Sequence, residues 1–181
     1  MSEVANGRDP FVRWIKRTPP TTQYLATIAR ESLVPAIENR GFSRTLFQDF
    51  DRGWKTYPFE LLFERQHGLG RQTIGVQFET RGRALLAINI VESPDGGWTP
   101  QSRRARLVRF QTGTFRAWYG LHTWRMLLPL QSEARRQKRI SADVHLAQED
   151  LPQAFAYLEQ GTVGPNIRLS PAVTVTATLR S

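Results

Sequence analysis

The stretch IGVQFETRGRALLAINIVES, residues 74–93, alternates apolar and polar side chains over two segments. The apolar residues stand two apart in two sets: Ile74, Val76 and Phe78, then Leu86, Ile88 and Ile90. Successive side chains of a strand point to opposite faces, so each set predicts a half-buried antiparallel strand. TRG at residues 80–82 predicts the turn between the two strands.

The same period of two extends the predicted sheet in both directions along the chain. Residues 57–64 alternate in this way, and HGLG at 67–70 predicts a hairpin turn after them. We expect an opening strand near residues 42–50 and a late strand or extended tail near 173–179. Glu60 and Glu64 share one strand face, and we interpret them as solubilising charges or partners for arginine rather than as an acid–base pair.

Residues 104–120 predict a further hairpin, with Thr112-Gly113 as its turn. On the second arm Phe115, Ala117 and Tyr119 share one face, which we expect to lie in the core, and Arg116 and Trp118 share the other. On the first arm the same alternation separates two sets of side chains: Arg104, Arg106, Val108 and Phe110 from Ala105, Leu107 and Arg109. This pattern favours a sheet with one polar face over a continuous stripe of arginines.

Two segments have the spacing of helices. Residues 22–40 place an apolar face at intervals of three and four, formed by Leu25, Ile28, Ala29, Ser32, Leu33, Ala36 and Ile37. Thr21 or Thr22 is the expected N-cap, Gly41 the expected C-terminal cap, and Pro35 is expected to kink or divide the helix. A second helix is predicted over about 150–160, with an earlier start near Asp143 left open, and residues 132–139 are interpreted as an exposed loop or short helix.

The order of elements predicts an α+β fold. We expect an antiparallel sheet of about five to seven strands, with an N-terminal and a C-terminal helix packed to one side. Residues 21–181 are expected to form one domain. Residues 1–20 are expected to form an arm whose aromatic side chains pack on that domain.

The composition restricts the functional classes. The chain has 181 residues and no cysteine, which excludes disulfides and cysteine nucleophiles. The histidines His67, His122 and His145 form no metal-binding pattern, and no nucleotide-binding or hydrolase motif is present. We therefore expect no catalytic residues, no cofactor and no metal. No signal peptide or membrane span is expected, and a cytoplasmic location is predicted.

The positive charge is concentrated in one region. Residues 101–141 contain ten basic residues and one acid, which accounts for the whole formal charge of +9. Such a region either attracts an anionic partner or is a solvated arginine-rich face. The candidate partner-binding residues are Arg104, Arg106, Arg116, Trp118 and Trp124.

Two functions from different classes fit these residues. The first is a non-catalytic protein-interaction module, because Trp, Tyr and Arg dominate interface hot spots. The alternative is nucleic-acid binding, with the 101–141 segment contacting phosphates and Trp118 or Trp124 stacking on bases. An enzyme ranks last. If the arm or the tail covers the face that carries Trp118, this residue is a second core residue. If that face is open, it is the best place for an anionic or stacking partner.

Three segments also resemble a known family: IGVQFETRGRALLAINIVES at 74–93, ARLVRFQTGTFRAWYGL at 105–121 and LVPAIENRGF at 33–42. Together they resemble the bacterial domain of unknown function numbered 4304, over residues 22–160. The family's basic strand often reads arginine-arginine-glycine before its turn, where this chain reads RFQTG. The resemblance implies an α+β domain and implies no activity.

Overall fold

The computed structural model describes residues 9–45, 58–80, 83–93, 102–110, 117–121 and 132–170. Its helices are α1 Pro10–Ile15, α2 Pro20–Glu38 and α3 Glu133–Gln160. Its strands are β1 Ser43–Thr45, β2 Glu60–His67, β3 Gly70–Phe78, β4 Leu85–Ser93, β5 Arg103–Leu107, β6 Tyr119–Gly120 and β7 Ile167–Leu169. All strand pairs in this part of the chain are antiparallel, so the predicted α+β class is confirmed.

The described strands form one sheet in the order β1-β2-β3-β4-β5-β7. The predicted hairpin turn at residues 67–70 is confirmed: two residues join β2 to β3, and Gly68 in this turn has φ +58°. Glycine is favoured there because a side chain is strained at positive φ. The segments 46–50, 81–82 and 173–179, which carry other predicted turns and strands, lie outside the described residues.

The predicted hairpin over residues 104–120 is wrong in its pairing. β6 pairs with the first residues of β4, through Leu85↔Gly120 and Leu86↔Tyr119, and not with β5. β5 pairs with the later residues of β4, so β5 and β6 lie end to end along the same side of that strand. The bond from Arg109 N to Ala117 O, at 3.1 Å, joins the two arms. β5 leaves the first residues of β4 unpaired, and β6 satisfies their backbone groups. Thr112-Gly113 lies outside the described residues.

The core lies between the helices and one face of the sheet. Its sheet side carries the predicted apolar residues, all fully buried: Ile74, Val76, Phe78, Leu86, Ile88 and Ile90. Helix α2 contributes Leu25, Ala29, Leu33 and Ile37, and Ile28 is partly buried at the margin. Both sets of residues belong to one buried cluster, as the predicted packing of this helix face on these strands requires.

The boundaries of α2 differ from the prediction. The helix begins at Pro20, and its N-cap is Pro19, which makes no side-chain capping bond. Proline suits the first helical position because its fixed φ is already helical and its missing N–H is not needed there. Thr21 and Thr22 therefore lie in the first turn and do not cap it. Pro35 does not divide the helix, and Gly41 has the predicted left-handed conformation at φ +80°.

Helix α3 is much longer than predicted. It begins at Glu133, with Ser132 as its N-cap, so residues 133–139 form its first two turns, and Pro152 lies in its interior. The buried face of the helix starts before residue 150, with Ile140, Val144 and Ala147, and continues through Leu151. The polar residues between these positions hide the helical spacing of the apolar residues in the sequence.

The described part of the N-terminal arm packs on the domain, as predicted. Phe11 is buried, with its ring 5.2 Å from that of Phe78, and Trp14 contacts the same ring at 6.1 Å. Asp9 caps α1 through Phe11 N at 2.9 Å and pairs with Arg44 at 2.6 Å. The arm therefore packs at the helix side of the sheet.

Candidate binding face of the sheet

The sheet has two different faces. We call the side that packs on α2 and α3 the helix face, and the opposite side the second face. The register places five residues opposite one another in one row across the second face: Leu62, Gly75, Asn89, Arg106 and Arg168. The row is apolar on β2 and becomes basic at β5 and β7.

Three arginines gather at the β5–β7 end of this face. Arg106 is directly opposite Arg168, and Arg104 follows the same face two residues along β5. The Arg106 guanidinium lies 5.5 Å from the centre of the Trp118 ring. All four side chains are half-buried. We call Arg104, Arg106 and Arg168 the arginine cluster.

A chain of amides holds Arg106 in place. Arg106 Nε donates to Asn89 Oδ1 at 2.9 Å. Asn89 Nδ2 donates to Gln77 Oε1 at 3.0 Å and to Glu60 Oε1 at 3.4 Å. Arg168 Nη2 donates to the backbone oxygen of Phe110 at 3.0 Å. These bonds fix the positions of two cluster arginines before any partner is present.

The electrostatics of the face follow from its partial burial. Burial lowers the pKa of Arg106, the positive charge of Arg168 lowers it further, and Glu60 acts in the opposite direction. Burial raises the pKa of Glu60, against the smaller effects of Asn89 and Arg106. Both the positive charge of Arg106 and the negative charge of Glu60 are therefore disfavoured by their surroundings. An anion beside Arg106 and Arg168 would relieve the repulsion between them.

Gly75 provides the space for Glu60. A Cβ atom at position 75 would lie 2.2 Å from Glu60 Oε1. The carboxylate therefore lies directly over the β3 backbone, which brings it close to Asn89. Any larger residue at position 75 would displace it.

A second polar network ties β6 and the segment before β7 to α3. Asp150 Oδ2 accepts from the Tyr119 hydroxyl at 2.7 Å and from Asn166 Nδ2 at 2.6 Å. Asp143 Oδ2 accepts from Gly120 N at 2.9 Å and forms an ion pair with Arg109. Burial and Asp150 raise the pKa of Tyr119 far above its ordinary value. The carboxylates of Asp143 and Asp150 accept hydrogen bonds from the elements that they connect to α3. We therefore assign a structural role to this network.

The structure brings together three of the five predicted binding residues. Arg104, Arg106 and Trp118 meet on the second face, whereas Arg116 and Trp124 lie outside the described residues. Ala117 and Tyr119 are buried in the core, as the alternation predicts for the arm that also carries Trp118. The described part of the arm packs at the helix side of the sheet, and Leu62, Thr73, Ala87 and Val91 on the second face are nevertheless buried.

Sequence reasoning missed the partners of these residues. Arg168 belongs to the three-residue strand β7, IRL. The apolar–basic–apolar pattern of these residues is the one feature of the sequence that indicates a strand there. The sequence places Glu60 on a strand face, but nothing in the sequence joins it to Asn89 and Arg106. That connection depends on the register of four strands.

Two further observations concern the described residues. They contain no group of three or more His, Asp or Glu side chains placed to hold a metal ion. None of their helices is both long and apolar enough to cross a membrane.

The resemblance to the bacterial domain numbered 4304 stays a prediction. Comparison with protein-family models, with curated protein sequences and with solved structures found no match to this chain.

Proposed function

We propose that the chain is a non-catalytic protein-interaction module that binds an acidic segment of a partner protein at the arginine cluster. The supporting observation is the half-buried pair Arg106 and Arg168, which lie opposite each other with the ring of Trp118 beside them. Guanidinium groups bind carboxylates in a planar, two-bonded geometry. Arginine and tryptophan in a partly desolvated setting are the residues that dominate interface hot spots.

The positions of two histidines favour binding over catalysis. His67 is exposed at the end of β2, and His145 is exposed on α3, which packs on the helix face. Histidine is the side chain that most often acts as a general acid or base near neutral pH. Neither of these two is placed to act on a ligand at the arginine cluster.

Nucleic-acid binding is the second candidate, because Trp118 offers an aromatic ring next to the arginines. One feature supports the protein partner over this alternative. Arg106 already lies over the Trp118 ring at 5.5 Å, so a base would have to compete with this guanidinium for the ring. The carboxylate of Glu60 close to Arg106 would repel either kind of anion.

The test compares two polyanions of matched net charge by fluorescence anisotropy: an acidic peptide and a single-stranded oligonucleotide. The variant Arg104→Ala/Arg106→Ala removes two positive charges from the cluster. The control Arg135→Ala/Lys138→Ala removes two exposed charges from the start of α3. Thermal unfolding of each variant verifies that it is folded.

We expect the cluster variant to lose about tenfold or more in affinity for the peptide, as hydrogen bonds to charged groups imply. The control should change the affinity by about twofold or less. Equal losses in both variants would show that net charge alone attracts the peptide. Tighter binding of the oligonucleotide, with a steep decrease as salt rises, would favour the nucleic-acid alternative.

A further inference from the structure

We infer that Glu60 determines how strongly the arginine cluster holds its partner, because its carboxylate takes up a proton when an acidic segment binds. This inference rests on the proposed function and adds a pH dependence to it. The partner should bind more tightly as the pH falls toward mildly acidic values.

A single side-chain amide, that of Asn89, lies between Glu60 and Arg106 and bonds to both. Asn89 Nδ2 donates to Glu60 Oε1 at 3.4 Å, and Asn89 Oδ1 accepts from Arg106 Nε at 2.9 Å. A carboxylate of the partner that reaches Arg106 must therefore approach a second carboxylate close by. Two carboxylates in one partly buried site disfavour each other's ionised forms.

The contacts of Glu60 differ from those of the other acids on the second face. Several charged side chains among the described residues lie on the same face of the sheet: Glu64 on β2, Arg71 and Glu79 on and after β3, Arg104 and Arg106 on β5, and Arg168 on β7. Of these, Arg106 acts electrostatically on Glu60. Glu64 pairs with Arg71 at 3.5 Å, and Glu79 accepts from Arg83 N at 3.1 Å. Glu60 contacts the neutral amide of Asn89, and burial already raises its pKa.

The sign of the linkage follows from these contacts. A bound anion destabilises the Glu60 carboxylate, so it raises the pKa of Glu60 and draws in a proton. By reciprocity, a proton on Glu60 strengthens the binding of the anion by the same factor. One Coulomb repulsion near a protein surface corresponds to a factor of roughly three to ten in affinity.

The experiment measures the affinity of the acidic peptide between about pH 5.5 and pH 8, where the carboxylates of the peptide stay ionised. Calorimetry in buffers of different ionisation enthalpy measures the proton uptake directly. The variant Glu60→Gln should bind at every pH with about the affinity that the wild type reaches at the acid end, without proton uptake. The matched control Glu64→Gln should keep the pH dependence of the wild type.

The outcomes separate the two proposals. If the wild type does not bind the peptide, the proposed function fails and this inference fails with it. If the wild type binds and Glu60→Gln keeps the same pH dependence, the inference alone is wrong. Carbon NMR of the Glu60 carboxyl in the wild type tests the inference without a substitution. The pKa must rise when the peptide is added, and an unchanged pKa overturns the inference.

Discussion

Replacement of Ile88 by alanine tests the register on which the whole description of the sheet depends. Ile88 lies on β4, between Val76 of β3 and Leu107 of β5, and its side chain has 0% exposure. The variant Ile88→Ala should therefore remove buried contacts on both sides of a central strand.

The magnitude follows from the position of Ile88. The lost carbon atoms correspond to a transfer term of about 2.4 kcal/mol, at about 0.8 kcal/mol for each buried methylene. The cavity adds about 1–2 kcal/mol, because strands on both sides hold the backbone and limit collapse. We expect Ile88→Ala to lower the free energy of unfolding by about 3–4.5 kcal/mol.

Urea unfolding followed by circular dichroism measures this loss, with an unchanged slope as the sign that the folded state is the same. Leu69→Ala is the control, because Leu69 is 95% exposed in the β2–β3 turn. The control should change the stability by less than about 0.5 kcal/mol. If Ile88→Ala also lowered the stability by less than about 0.5 kcal/mol, Ile88 would not be a buried residue and the register would be wrong.

Three other variants test separate features. Tyr119→Phe removes the hydroxyl that donates to Asp150 at 2.7 Å and should lower the stability to urea by about 1–2 kcal/mol. Gly120→Ala should cost at least about 2 kcal/mol in the same assay, because φ is +112° and the added Cβ would lie 2.3 Å from Ala84 O. Glu60→Gln should match the wild type in thermal stability at acidic pH and exceed it near neutral pH. Because the folded pKa of Glu60 is raised, the wild type loses stability as the pH rises through that pKa, and the amide variant does not.

The central strands were predictable because their period is local. Ile74, Val76 and Phe78 must share a face in any strand, and burial of that face follows from their side chains alone. The same reasoning placed Arg104 and Arg106 on one face and Tyr119 in the core. These predictions require no knowledge of which strand lies next to which.

The pairing of β5, β6 and β7 was not predictable from the sequence, because it joins residues that are far apart in the chain. Arg168 meets Arg106 across a separation of 62 residues, and β6 pairs with β4 instead of the nearer β5. The row of residues on the second face exists only once the registers of all its strands are set. The sequence therefore predicts two of the three cluster arginines, Arg104 and Arg106, and not Arg168.

The early start of α3 was missed because composition and spacing disagree over its first turns. Residues 132–139 are polar, with basic residues near a helix N-terminus, where the macrodipole disfavours them. The helix forms there because Ile140 and Val144 continue the buried face of Leu151 toward the N-terminus. Packing against the core outweighs the local preference.

The position of β7 also orders the events of folding. β2, β3 and β4 pair with sequence neighbours, so they can form while most of the chain is still unfolded. β7 lies beyond the 28 residues of α3 in the chain, so its pairing with β5 closes a long loop, and we expect it to form late. Arg168 should thus be the last arginine to reach the cluster and the first to leave in a local unfolding event. Hydrogen exchange should then be fastest at the backbone amides of β7, and the partner should slow it there.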